Sequence, residues 1–414
     1  MSVRGKGFKE YIRLSRALEI VESNVDELDS EEISFEESYD RVIAEEVRSK
    51  MAVPPFDRAA MDGFAVRAED TFGAKEENPV ELEVSGSIEI GGWKEIEVCE
   101  GKAVEIATGA PIPKGADSVV KIEDTIREGS RVRILSPVTP GRNVSAKGED
   151  LKSDETIFER GHRLKPADLG LLASTRNLEI KVMKRPKVGI VSTGNELKEP
   201  EEALGRGEVI EVNSYTIGSA VLSAGGIPVR LGIVPDKKEE INKALDKAPD
   251  FDFFILSGGT SVGKMDLVPD IVSEKGELLF HGVAIRPGGP SAFGIFEDTP
   301  VFSLAGFPAA ALLAFEMLVG PALEWLQGVK RRREKPSIEA TLTRNLSSKL
   351  GRKDIARARL IKDEGCYFVE PVRVTGSSIL RTIKEADGTI IIPEDRDGFS
   401  EGETVDFRFF RYCG

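Results

Sequence analysis

Apolar positions recur along the chain in distinct rhythms, and each rhythm predicts a different kind of element. Residues 8–24 and 36–47 carry the spacing of amphipathic helices, and Ser34 with Glu37 three residues later makes a capping-box start for the second. Pro54-Pro55 ends helical character. From 51 to 139 short β-type runs, such as Val80 to Val84 and Arg131 to Leu135, alternate with Gly and Pro turns. Helical character returns at Pro166, a favourable first helical position, and runs to about Ser174. The spacing therefore predicts a discontinuous helical domain, 1–50 and 140–183, with a β-rich insertion at 51–139.

Residues 184–328 alternate strand with helix. Lys187 to Val191, Val229 to Val234 and Phe251 to Leu256 read as compact apolar strands. Between them lie a helix from about Tyr215 to Gly225-Gly226 and one opening at Asp236, with Glu239 completing a capping box. This is the signature of a doubly wound α/β domain with a parallel sheet, where ligands bind beyond the carboxyl ends of the strands. The longest apolar stretch, Ala309 to Leu326, is interrupted by Glu316 and Glu324 and reads as a buried helix, not a membrane span. From 329 to 414, β-runs are separated by Glu364-Gly365, Asp387-Gly388, Asp397-Gly398 and Glu401-Gly402, which predict a small C-terminal β-barrel.

Composition narrows the chemistry. At 414 residues the chain exceeds one ordinary core, and 40% apolar with 31% charged residues describes a water-soluble protein. With no signal-peptide core at the N-terminus, a cytoplasmic address and no membrane partner are expected. Cys99, Cys366 and Cys413 are too scattered for a disulfide framework or a Cys-rich zinc site, and His162 and His281 are the only histidines. A bound metal is thus expected to be a hard cation on carboxylates. A net charge of −14 argues against nucleic acid as partner.

Candidate chemistry sits just after the strands. Ser257-Gly258-Gly259-Thr260-Ser261-Val262-Gly263-Lys264-Met265-Asp266 offers small residues whose backbone N–H groups can approach an anion closely. It nearly spells a P-loop, but Met265 stands where the magnesium-binding Ser or Thr belongs. Its Gly259-Thr260-Ser261-Val262-Gly263 also matches a nucleophile elbow, for which His281 is the only downstream histidine. Ser192-Thr193-Gly194-Asn195-Glu196 follows the first strand, and Arg286-Pro287-Gly288-Gly289-Pro290 is a basic, glycine-bearing loop at the same edge. Asp236 at a helix start is explained by N-capping alone. The β-rich part adds Asp57 to Val66, with Asp62 beside Gly63, then Thr108 to Asp117 and Gly148-Glu149-Asp150. Acids in two domains without available histidines suit magnesium-assisted phosphate chemistry.

Taken in order, these segments together with Gly306-Phe307-Pro308 resemble the molybdopterin molybdenumtransferase family, the MoeA and gephyrin-E type, over nearly the whole chain. The resemblance implies an elongated homodimer of four-domain subunits, its cleft lying between the α/β domain of one subunit and the β-rich domain of the other. It implies that adenylylated molybdopterin and molybdate, or tungstate, are converted to molybdenum cofactor and AMP with Mg²⁺ assisting. Carried over by position, Asp62, Asp150, Glu196 and Asp266 are the catalytic acids, with Asp62 and Asp266 as metal ligands. Thr108, Asp236, Ser257, Gly258, Gly259, Ser261, Arg286, Pro308, Arg357 and Ser378 are the implied substrate contacts. Family members usually carry K-P-G-K-P where this chain has Arg286-Pro287-Gly288-Gly289-Pro290, and L-P-G-N-P where it has Leu304-Ala305-Gly306-Phe307-Pro308. Arg286 keeps a charge, whereas Gly289 removes one. Two other readings follow from the same residues: a non-catalytic molybdopterin-binding scaffold, which weakened oxyanion contacts would suit, and a molybdopterin adenylyltransferase, which the β-rich matches disfavour.

Overall fold

The computed structural model describes residues 11–92, 94–258, 267–329, 336–373 and 379–410. Its centre is a six-stranded sheet in the order Ile227–Val234, Lys187–Thr193, Phe253–Ser257, Thr299–Leu304, Ala292–Phe296, Glu277–His281. The first four strands are parallel, and the last two join antiparallel, so the sheet is mixed where pattern alone predicts a parallel one. Successive side chains of a strand face opposite ways. Phe253 and Ile255 therefore enter a core with Ile217, Val221 and Leu318, while Phe254 and Leu256 enter another with Ile241, Leu245 and Ile271. Each fully buried phenylalanine contributes about 1.5–3 kcal/mol to holding helices on both faces. The apolar helix Pro308–Leu326, with a π-turn over Phe315–Val319, is 83% buried and forms part of this core.

The β-rich region is a second six-stranded sheet, ordered Ser118–Lys121, Gly63–Val66, Lys102–Ile106, Val80–Ile88, Arg131–Ile134, Thr125–Glu128. Phe64 and Val66 pack on one face and Ala65 on the other. Beside it, Ser30–Ser34 pairs antiparallel with Glu179–Met183, and Val47–Arg48 with Thr156–Phe158, around a core containing Ile43, Leu164, Leu172 and Ile180. Chain segments on either side of the β-rich region are thus hydrogen-bonded to one another.

Two expectations of detail are corrected. The segment 36–47 is not a helix: a single 3₁₀ turn, Phe35–Glu37, follows Ser34, whose hydroxyl accepts from the Glu36 N–H. Asp40 then adopts a positive φ of 61°, and Val42 and Ile43 make bridges to Arg163 and Val182. Pairing with distant strands overrides the local helical spacing. The helix near Asp236 runs Lys238–Leu245 with Lys237 at its N-cap, so Asp236 does not cap it. The first helix, Leu14–Glu22, packs its Leu14, Ala17 and Val21 into the α/β core.

Strands Ser337–Leu342, Lys353–Asp363, Cys366–Arg373, Gly388–Ile392 and Thr404–Phe409 form a closed five-stranded barrel. A short strand of the α/β domain, Ile285–Arg286, pairs in parallel with Lys353 and Asp354, so main-chain hydrogen bonds cross the junction. In the β-rich sheet, a Cβ at Gly63 would lie 1.9 Å from the Val120 carbonyl oxygen. Gly63→Ala is therefore expected to destabilise the protein by more than about 3 kcal/mol, because backbone rather than a flexible side chain would have to move. Denaturant unfolding of the variant checks this.

Candidate active site

Loops of the β-rich domain gather its candidate residues at one end of the sheet. The 57–62 loop is clamped between two others: the Ala59 N–H donates to the Ala110 carbonyl, the Ala59 carbonyl accepts from the Gly109 N–H, and the Ala60 N–H donates to the Asn143 carbonyl. Asp57 Oδ1 accepts from the Lys147 N–H at 2.7 Å. At the tip, Asp62 Oδ1 accepts from the Thr108 backbone N–H at 2.7 Å and from its hydroxyl at 2.8 Å. The second carboxylate oxygen, Oδ2, has no protein partner among the described residues, and Asp62 is exposed. The Thr108 N–H, then its hydroxyl, hold the Asp62 carboxyl below the usual carboxylate range. Asp62 and Thr108 are thus brought into contact from 46 residues apart. Asp150 is exposed on the segment that pairs with Val53, its N–H donating to the Val53 carbonyl at 3.0 Å. Exposed Phe56 and Met61 lie at this loop, exposed Ile90 lies against Gly109, and the N–H of exposed Ile122 donates to the Asp62 carbonyl.

The α/β candidates meet at the carboxyl edge of the central sheet. The first strand there has the second on one side and the third on the other, which puts the topological switch point between Lys187–Thr193 and Phe253–Ser257. Gly258 follows the third strand with φ 110°, and a Cβ there would stand 2.1 Å from the Thr193 carbonyl oxygen. Only glycine fits this approach. Thr193 donates its hydroxyl to Asp236, whose own N–H donates to Asn195 Oδ1 at 3.2 Å. Asp236 therefore ties the loops after two strands together instead of capping a helix. Glu196 is exposed on the same loop, folded back over Gly194. Ser257 is buried, and its hydroxyl accepts from Asn213 Nδ2 at 2.7 Å; the same amide donates to the Gly306 carbonyl at 2.8 Å. Phe307, 58% exposed, and Pro308, the first residue of the long helix, complete the edge.

Two cations are engaged at the barrel. Arg286 is not free: its guanidinium is 2.6 Å from the Asp354 carboxylate of the barrel. Burial pulls Arg286 below its usual value, Asp354 opposes this, and Arg352 adds to it; the group stays protonated. Arg357 is buried within the barrel strand Lys353–Asp363. Gly259, Ser261, Asp266 and Ser378 lie outside the described residues. Among the described residues, no hydrogen bond or ion pair joins the β-rich loops carrying Asp62, Thr108 and Asp150 to the carboxyl edge carrying Glu196 and Asp236.

Sequence reasoning missed Asn213, Glu211 and Asp354. Glu211 is buried and accepts from the Ser192 hydroxyl at 2.8 Å and from the Ser214 N–H and hydroxyl. All three are polar groups with an inward role that periodicity does not encode; only a buried position flanked by apolar residues, as in Ile210-Glu211-Val212, gives a hint.

These features define a class: a multidomain protein whose α/β domain has a switch-point crevice at the carboxyl edge of its sheet, with further acids on a β-rich domain. Comparison with known proteins is specific. Residues 12–175 match the MoeA N-terminal region (domain I and II), 189–325 a probable molybdopterin binding domain, and 339–410 the MoeA C-terminal region (domain IV). A putative molybdopterin biosynthesis protein of Methanocaldococcus jannaschii is 36% identical, with 91% of each chain covered. The molybdopterin molybdenumtransferase of Haemophilus influenzae is 34% identical over 92% of this chain and 94% of its own. The crystal structure of the molybdopterin biosynthesis moeA protein of Pyrococcus horikoshii superposes with a TM-score of 0.84 at 33% identity, covering 97% of this chain and 100% of that one. The chain belongs to the molybdopterin molybdenumtransferase (MoeA) family of molybdenum cofactor biosynthesis.

Because Thr108 favours the ionised Asp62, its contacts stabilise the fold above the unfolded carboxyl's titration. That contribution is lost as pH falls through the lower folded midpoint. Thr108→Val keeps the N–H and loses the hydroxyl, so the Asp62 midpoint is expected to rise part of the way to the ordinary range. Carbon-detected NMR titration of the Asp62 carboxyl measures it; an unchanged midpoint would remove the hydroxyl from this role.

Proposed function

We propose that this chain inserts molybdate, or tungstate, into adenylylated molybdopterin, releasing AMP. The observation that carries the reading is Asp62: an exposed carboxylate held ionised by Thr108, with one oxygen left open to a ligand. A hard divalent cation fits that donor set, since Mg²⁺ takes one or two carboxylates and completes its shell with water and substrate phosphate. Asp62, together with Asp266, would hold Mg²⁺, which when bound supplies charge neutralisation at the activating phosphate.

The chain's own residues do the rest. Backbone N–H groups after Ser257 receive the pterin phosphate at the switch point, where Gly258 leaves room for close approach. Glu196 and Asp236 orient the pterin through its N–H groups, and Arg286 faces the oxyanion. Pro308 borders the ligand, and Arg357, Ser378, Ser261 and Gly259 are the further substrate contacts that the family resemblance implies. Asp150 adds a second acid to the Asp62 side. Catalysis is then positioning and charge stabilisation as the pyrophosphate linkage opens and the metal enters the dithiolene.

Because no hydrogen bond or ion pair among the described residues joins Asp62 to the carboxyl edge, we propose that the working site forms in a homodimer, the β-rich loops of one protomer closing on the α/β edge of its partner. The test is oxyanion-dependent AMP release from adenylylated molybdopterin with Mg²⁺. Wild type is expected to release AMP only with molybdate or tungstate, and Asp62→Asn to fall by at least about 10²-fold while its thermal melt is unchanged. Tight pterin binding without AMP release for either oxyanion would support the non-catalytic scaffold instead, and consumption of ATP the adenylyltransferase.

A further inference from the structure

Two guanidiniums share one buried carboxylate where the α/β domain meets the barrel. Arg286 approaches Asp354 Oδ2 at 2.6 Å, and Arg352 Nε approaches Oδ1 at 3.0 Å. The Asp354 side chain is 2% exposed, whereas those of Arg286 and Arg352 are 32% and 30% exposed. The carboxylate therefore lies beneath, and the two cations reach from it toward solvent. A guanidinium carries five N–H donors in one plane; Arg352 donates its Nε hydrogen to Asp354 Oδ1, while Arg286 meets Oδ2 as an ion pair without hydrogen-bond alignment, so most donors of both remain directed elsewhere. The three side chains sum to one positive charge.

The backbone fixes this group from both sides. Arg286 pairs in register with Asp354, and the Lys353 N–H donates to Ala284. On the flank, the Gly351 N–H donates to the Glu394 carbonyl, and the Glu394 side chain pairs with Arg13 at 3.3 Å. Tyr11 covers Gly289, where a Cβ would lie 3.3 Å from its ring. Gly289 contributes no charge, and Arg352, from the barrel, brings a second cation beside Arg286.

We propose that Asp354 is a positioning residue: it orients Arg286 and Arg352 as a two-guanidinium clamp for a tetrahedral oxyanion dianion. This rests on the function proposed above, in which Arg286 faces the oxyanion. The clamp makes the barrel part of the site, since Asp354 and Arg352 belong to it and Arg286 does not. Planar forks held in fixed orientation bind oxyanions through paired N–H donors, so orientation outweighs the local cost of one nearby negative charge.

The sign of one substitution separates this from simple electrostatics. Asp354→Asn removes a negative charge from beside an anion site, which by Coulomb attraction alone would tighten binding. The proposal expects the opposite. The probes are molybdate and tungstate alone, titrated calorimetrically into the full chain at low salt. Asp354→Asn should weaken binding about tenfold or more, Asp354→Glu should recover part of it, and Glu394→Gln should leave it unchanged. In the AMP-release assay the oxyanion KM should rise in Asp354→Asn while the KM for adenylylated pterin stays put. If Asp354→Asn melts early, Arg352→Lys keeps the charge and loses the fork, and it too should weaken binding. Equal or tighter binding in Asp354→Asn, or full binding in Arg352→Lys, overturns the proposal. Arg286→Ala separates the two levels. If it loses the oxyanion while Asp354→Asn retains it, only the positioning role falls. If Arg286→Ala itself retains it, the oxyanion reading of Arg286 falls as well.

Discussion

The close approach of two strand ends, Thr193 and Gly258, is the constraint on which the rest of the α/β site depends. Adjacent parallel strands leave the sheet in opposite topological directions there, opening a crevice between their loops. The crevice persists because Gly258 holds a positive φ against the Thr193 carbonyl, where no side chain fits. Around it the polar groups are used in pairs: Thr193 with Asp236, Asn195 with the Asp236 backbone, Asn213 with Ser257 and Gly306. Each pairing satisfies a buried or half-buried group and fixes a loop at the same time.

The β-rich domain solves the converse problem of presenting a carboxylate to solvent in one orientation. Gly63 lets the strand press on Val120, and Thr108 takes both donors to one oxygen of Asp62. What remains is a single open oxygen on an ionised, exposed group. The barrel contributes through the Arg286–Asp354 junction, where a backbone ladder and an ion pair cross together between domains. A buried carboxylate with two cationic neighbours is costly to uncouple, since either arginine removed leaves charge poorly compensated.

Much of this was legible in the residues, for reasons of period and punctuation. Strands such as Lys187–Thr193 and Phe253–Ser257 are short apolar runs bounded by glycine, and buried strands declare themselves that way. The long helix Pro308–Leu326 was readable as core from its interrupting acids. Residues 36–47 misled because Val42, Ile43 and Val47 satisfy helical spacing equally well when they bridge to other segments. Asp236 misled because an acid before a helix has two uses, and the hydroxyl that claims it, Thr193, is 43 residues away. Family resemblance marked Asp62 and Thr108 separately, but their contact was not legible, since nothing local links positions 46 residues apart. Asp354 was invisible for a similar reason: a buried acid inside a barrel strand shows its purpose only when Arg286 arrives from another domain.

The central claim is that acids on two separate domains act as one site, completed between protomers. Asp62→Asn and Glu196→Gln each disable one half. Dissociating the two variants together and reassociating them tests the claim, with AMP release as the readout. Random pairing makes half the dimers mixed, each with one intact site, so recovery to about a quarter of wild-type activity is predicted. Activity no higher than that of either variant alone would contradict a site shared between protomers and return both halves to a single chain.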